Sequence, residues 1–184
     1  MLTEEKIKKN AHKFNETGVK YGVVNDELTT LLGIDFITAP CTTTTKLYGA
    51  YDGGLIQHIL NVTKHAISVN NSLPESKQVS KEVIIRVCLI HQIGKSTMYS
   101  EQTSKWHKEN KGEMYKFNEE SLSMSTAERS VFYALKSGIV LTEDEVYAIF
   151  NYNSDFAYWS LDKEGEKLAS LLKVANLMAI IEEK

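Results

Sequence analysis

The chain has 184 residues, 42% of them hydrophobic, and its 21 Lys and Arg residues nearly balance its 24 Asp and Glu residues to leave a net charge of -3. That length allows one domain with a core of its own, and the near-neutral balance supplies no long-range field for nucleic acid or an anionic membrane, so any anion site must be local. The two cysteines, Cys41 and Cys88, are far apart and form neither a CxxC pair nor a disulfide framework, a usage that suits a reducing cytosol, and Cys88 reads as core. No apolar run is long enough to span a bilayer, and the opening MLTEEKIKKN lacks the apolar centre of a signal peptide, so the expectation is a cytoplasmic protein without membrane partners.

Apolar residues recur every three to four positions along most of the chain, which predicts an all-α protein. Ile7, Ala11 and Phe14 mark one face of a first helix with Gly18 just past its end, and Leu28, Leu31 and Leu32 mark a short second helix closed by Gly33. We read residues 1–34 as an N-terminal helical extension and 35–184 as the main helical domain. The stretch from Ala39 to Lys46, APCTTTTK, has no period and reads as an irregular connection with solvated threonines.

From Gly54 a strong helical face carries Leu55, His58, Ile59, Val62, His65, Ala66 and Val69, which places two histidines inward, and Pro74 stops the helix. Ser80 is the expected cap of the next helix, whose stripe Val83, Ile84, Val87, Cys88 and His91 sets a histidine where Leu or Val would normally point. Residues Ser96 to Ser123 are aperiodic and predict a long loop or hairpin excursion, a candidate lid. STAE at Ser125 and TEDE at Thr142 have capping-box spacing and open two further helices, one carrying Val131, Phe132 and Leu135 up to Gly138, the other Val146, Ile149 and Phe150. The last helix holds Leu168, Leu171, Leu172, Ala175, Met178 and Ala179, with the amide of Asn176 facing inward.

His58, His91 with Gln92, and Asn176 thus fall on the inward faces of three different helices. One histidine on an apolar face is by default a hydrogen-bonded core residue. The order and spacing of AYDGGLIQHILNV, CLIHQIGK, the capped STAERS helix, LTEDEVYAI and LLKVANLMA carry more, because together they resemble the HD-domain phosphohydrolase superfamily, and small HD-domain proteins of bacteria and phages in particular. The resemblance runs from about Asp35 to the C-terminus. It implies a helical bundle whose inward His and Asp residues hold one or two divalent metals and hydrolyse phosphate esters of nucleotides or nucleic acids.

Carried over residue by residue, the resemblance retains His58 and His91 but finds Gln92 at the aspartate of the His-Asp pair and Asn176 at the late aspartate. Three further family histidines fall, to within about a residue, at Tyr48, Thr126 and Tyr152. Carboxylates supply most of the charge that offsets desolvation of a dication, whereas amide oxygens are neutral, so we expect no metal and no other cofactor, Mg²⁺ or Mn²⁺ entering only if activity persists. Exchanging acids for amides also makes the pocket more hospitable to phosphate. His58, His91, Gln92, Lys95, Thr126, Tyr152 and Asn176 become candidate ligand contacts, with Lys95 as a point charge and Tyr152, Phe156, Tyr158 and Trp159 as candidate stacking surfaces.

Three readings follow. The first is a catalytically degenerate HD-domain protein that binds a nucleotide or a cyclic or short oligonucleotide as a sensor or sequestering protein, long nucleic acid being disfavoured by the absence of a basic stripe. The second is an active metal-dependent phosphohydrolase using His58 and His91 with unconventional ligands such as His65, Asp52 or His107. The third is a structural or protein-interaction module whose old pocket has filled with side chains.

Overall fold

The computed structural model describes residues 1–154 and 162–184. It is an all-α single domain. Among the described residues seven α-helices run in chain order: α1 Glu4–Lys20, α2 Asp26–Leu32, α3 Gly54–Ser72, α4 Lys81–Ile90, α5 Thr126–Lys136, α6 Glu143–Asn151 and α7 Glu164–Glu183. The polar caps read from the sequence explain several starts. Ser125 and Glu128 form a reciprocal capping box on α5, as do Thr142 and Glu145 on α6, and Asn25 accepts from the amide of Leu28 at the start of α2. Ser80 occupies the cap position of α4 without making the side-chain bond.

α3 and α7 pack along each other at the centre, with α4 and α6 beside them. Leu55, Ile59, Val62, Ile84, Leu89, Ile149 and Leu172 meet there, each essentially sealed from water. Such side chains contribute about 1.5–3 kcal/mol each on burial, which is what holds the polar centre described below in place. α1 and α2 contribute Phe14, Leu28 and Leu32 to the same core. Arg86 of α4 ties the elements together: its guanidinium donates to the Glu145 carboxylate at 2.6 and 3.2 Å, to the Tyr21 carbonyl at 3.1 Å and to the Val140 carbonyl at 2.7 Å.

Residues 96–123 form the expected hairpin excursion. Strands β1 Tyr99–Glu101 and β2 Tyr115–Phe117 pair antiparallel, Tyr99 opposite Phe117 and Glu101 opposite Tyr115, with a π turn at His107–Lys111 between them. Thr44 bridges to Glu113, and the amides of Met114 and Tyr115 donate to the Thr43 carbonyl, so the hairpin closes over the segment between residues 39 and 53. That segment lies tightly on the start of α3. A Cβ on Gly54 would stand 2.2 Å from the Gly49 carbonyl oxygen, so only glycine allows the approach.

Several expectations change. Gly18 lies inside α1 rather than beyond it, because its bare Cα makes room for Val24, whose Cγ2 would be 2.2 Å from a Cβ there. The threonine run is not uniformly solvated, since Thr42 is buried and donates to the Tyr48 carbonyl at 2.6 Å. Phe132 and Leu135 face outward on α5, whose buried side is Ser130, Val131, Tyr133 and Ala134, and Phe150 and Met178 are also exposed. Apolar spacing marks a face but does not say where a wide stripe ends. Among the described residues no helix is long and apolar enough to cross a membrane.

Candidate functional site

α3, α4 with the turn after it, α6 and α7 converge their polar side chains on one buried centre. His58 is fully buried on α3 and its Nδ1 lies 3.0 and 3.2 Å from the two carboxylate oxygens of Glu183, while Nε2 lies 2.9 Å from Asn176 Oδ1. Asn61 donates to the same carboxylate at 2.8 Å and accepts from Gln57, which in turn accepts from Asn10 of α1.

Gln92 stands beside this pair. Its Nε2 approaches Asn176 Oδ1 at 3.3 Å and the Tyr152 hydroxyl at 3.4 Å, and its Oε1 accepts from the Cys41 thiol at 3.3 Å. Lys95 Nζ lies 3.6 Å from Cys41 Sγ and 5.8 Å from the centre of the Tyr48 ring, and that ring packs on His58 at 4.5 Å. The turn bearing Gln92 and Lys95 is pressed against α5: a Cβ on Gly94 would meet the Thr126 carbonyl oxygen at 2.6 Å, and the Gly94 amide donates to Ser130 Oγ.

His91 donates from Nδ1 to the Cys88 carbonyl at 2.7 Å, which leaves Nε2 as a lone-pair acceptor, buried and without a partner among the described residues. Burial first, and the fields of His58 and Lys95 with it, hold its pKa down at about 3, so the ring is neutral. Burial likewise pushes the Cys41 thiol up to about 11 against the pull of Lys95, and Tyr152 up to about 12. The groups nearest the Lys95 ammonium are therefore uncharged. Among the described residues no carboxylate forms an ion pair with Lys95, although the residue is only 9% exposed.

The structure thus brings together His58, Gln92, Lys95, Tyr152 and Asn176, with His91 edge-on to Tyr152 at 5.3 Å. Thr126 stands apart, its hydroxyl donating to Met98 Sδ. His65 is not in the centre either; it lies at the α3–α7 edge, 2.6 Å from Glu182. Asp52 accepts from the Tyr115 hydroxyl and His107 lies in the π turn, so neither joins the two inward histidines. Phe156, Tyr158 and Trp159 lie outside the described residues. Sequence reasoning missed Cys41, hidden in an aperiodic run, and Glu183, which reads as part of a solvated C-terminal EEK.

The donor set fits a metal poorly. His91 alone keeps the form of a ligand, with Nδ1 fixed by a carbonyl and Nε2 free. Nε2 of His58 is engaged by Asn176, and among the described residues no three His, Cys, Asp or Glu side chains converge. Two hollows of about 530 and 810 Å³ lie elsewhere, one between α1 and α2, the other beside the N-terminus and the hairpin. Neither is lined by His58, His91, Gln92, Lys95 or Asn176. No family model, no curated protein and no solved structure matches the chain.

Proposed function

We propose that this chain is a catalytically degenerate HD-domain protein that binds a nucleotide or a short oligonucleotide through its phosphate and does not hydrolyse it. One observation carries the reading: Lys95 is only 9% exposed, and its ammonium has a neutral thiol and a ring face as its partners among the described residues. A buried cation without a counterion is costly, and a phosphate removes that cost. The orphan Nε2 of His91 adds the demand for a hydrogen-bond donor, which a ribose hydroxyl or a base N–H supplies. The loss of both family aspartates supports binding over cleavage, since Gln92 and Asn176 offer a dication no charge.

Thermal unfolding with a panel of nucleoside mono-, di- and triphosphates, cyclic nucleotides and dinucleotides tests this. At least one member is expected to raise the melting temperature by mass action and to be recovered uncleaved. No shift with any of them at millimolar concentration would overturn the reading.

A second reading, a protein-interaction module with a filled pocket, is favoured by a different observation. Gln92, Asn176, His58 and Tyr152 already bond one another, and each is less than a tenth exposed. On that reading the panel gives no shift and the centre serves stability alone.

A further inference from the structure

Away from the buried centre, the N-terminal helices enclose a hollow of their own. α2 is only seven residues long, and after Gly33 the chain folds straight into a 3-10 turn over Ile34–Ile37. That turn carries Phe36 back against Phe14 of α1, their rings edge to face at 5.2 Å. Phe14, Val24, Leu28, Leu32, Phe36 and Ile56 of α3 wall a space of about 530 Å³, and each is less than a tenth exposed, so the walls are anchored in the core. The mouth is open. Ile34 beside it is 78% exposed, and a Cβ on Gly33 would meet nothing within 4 Å. The polar lining residues, His12, Asn15, Thr29 and Thr30, are all exposed, which puts them at the rim. Among the described residues that line the space there is no Asp, Glu, Lys or Arg, and His12 is engaged with Glu16 at 3.3 Å.

We propose that this hollow is a binding site for an uncharged, mainly apolar small molecule, its apolar body against Phe14, Leu28 and Phe36 and one hydrogen-bonding group at the rim, where Asn15 offers an amide. Size and charge both select that class. The volume lies within the roughly 300–1,000 Å³ of small-molecule sites, whose walls are apolar with a few polar groups that fix orientation. An ionised ligand would give up its hydration here without meeting an opposite charge, so phosphates are disfavoured and the site does not depend on Lys95. Apolar walls hold water poorly, and an apolar guest gains contacts with them that water does not make.

The test titrates the full chain with N-phenyl-1-naphthylamine, an uncharged apolar amine whose fluorescence rises when it leaves water. The native protein is expected to take up one probe per chain, saturably, and to keep it when nucleotides of the panel are added. Ala11→Phe fills the space from α1 and Thr30→Trp covers its mouth from α2; each is expected to weaken the probe by about tenfold or more without lowering the melting temperature. Ile181→Lys, which removes the most exposed apolar side chain of α7, is expected to bind the probe as the native chain does. No saturable uptake, or uptake that survives both filling variants, would overturn the site, and loss in Ile181→Lys would move the probe to the outer face of α7. Displacement by a nucleotide would overturn it too, since the lining holds no partner for phosphate. A chain that light scattering shows as a dimer, and as a monomer once the probe is added, would give the hollow to a second copy instead.

Discussion

At the scale of single residues, Lys95 and His91 set the character of the centre. Removing the Lys95 charge while keeping its length, in Lys95→Met, is expected to stabilise the free protein by about 1 kcal/mol in denaturant melts, because a buried ammonium with neutral neighbours is traded for an apolar chain. The same change is expected to cost at least tenfold in nucleotide affinity. His91 gives a pH signature. Its folded pKa is held at about 3 against the ordinary 6.5, so between those values the unfolded chain takes up a proton that the folded chain refuses. Stability from this group is complete above 6.5 and is lost as the pH falls toward 3, with a slope of at most about 1.4 kcal/mol per pH unit. His91→Gln is expected to flatten the acid limb of a stability-versus-pH curve relative to the native chain; an unchanged limb would contradict a neutral, desolvated His91.

Residue-level legibility followed the helices. His58, His91, Gln92 and Asn176 were readable as inward because each lies in or at the end of a periodic apolar run, whereas Tyr152 was named only through the resemblance; all five are less than a tenth exposed in the structure. Cys41 was not, since its burial comes from a lid closing over it and not from any local pattern. Glu183 carries the charge pattern of a solvated tail, and only the packing of α7 on α3 brings it to His58.

At the scale of elements, the Arg86–Glu145 pair joins α4 to the start of α6, and Glu145 also accepts from the Thr142 amide at 2.8 Å in the capping box. Arg86 is 17% exposed at its side chain and Glu145 only 1%, so deleting the arginine strands a buried carboxylate. Arg86→Ala is expected to destabilise the fold by about 3 kcal/mol in equilibrium denaturation. A loss below about 1 kcal/mol, the range of exposed pairs, would show that water reaches Glu145 when the arginine leaves. Helix starts were legible because caps are local chemistry: Ser125 with Glu128 and Thr142 with Glu145 form the predicted reciprocal bonds. The hairpin's register was not, because it is set by contacts such as Thr44 with Glu113 that join segments far apart in sequence.

For the whole molecule, an all-α domain encloses a polar centre in which amides occupy the positions where the resemblance expects acids. The neutral groups around Lys95 and the spare acceptor on His91 make that centre complementary to an anion that also carries hydrogen-bond donors. The same centre is closed by the segment between residues 39 and 53 and by the hairpin, so the proposed binding requires these to part, a motion that periodicity in the sequence does not encode.

Native mass spectrometry of the freshly purified full chain, before and after addition of the nucleotide panel, tests the central claim most directly, because it weighs nucleotide and metal in one measurement. The account predicts the 20.8 kDa chain carrying a nucleotide and no stoichiometric transition metal. One or two bound transition metals, or a chain that stays bare with every nucleotide offered, would contradict it.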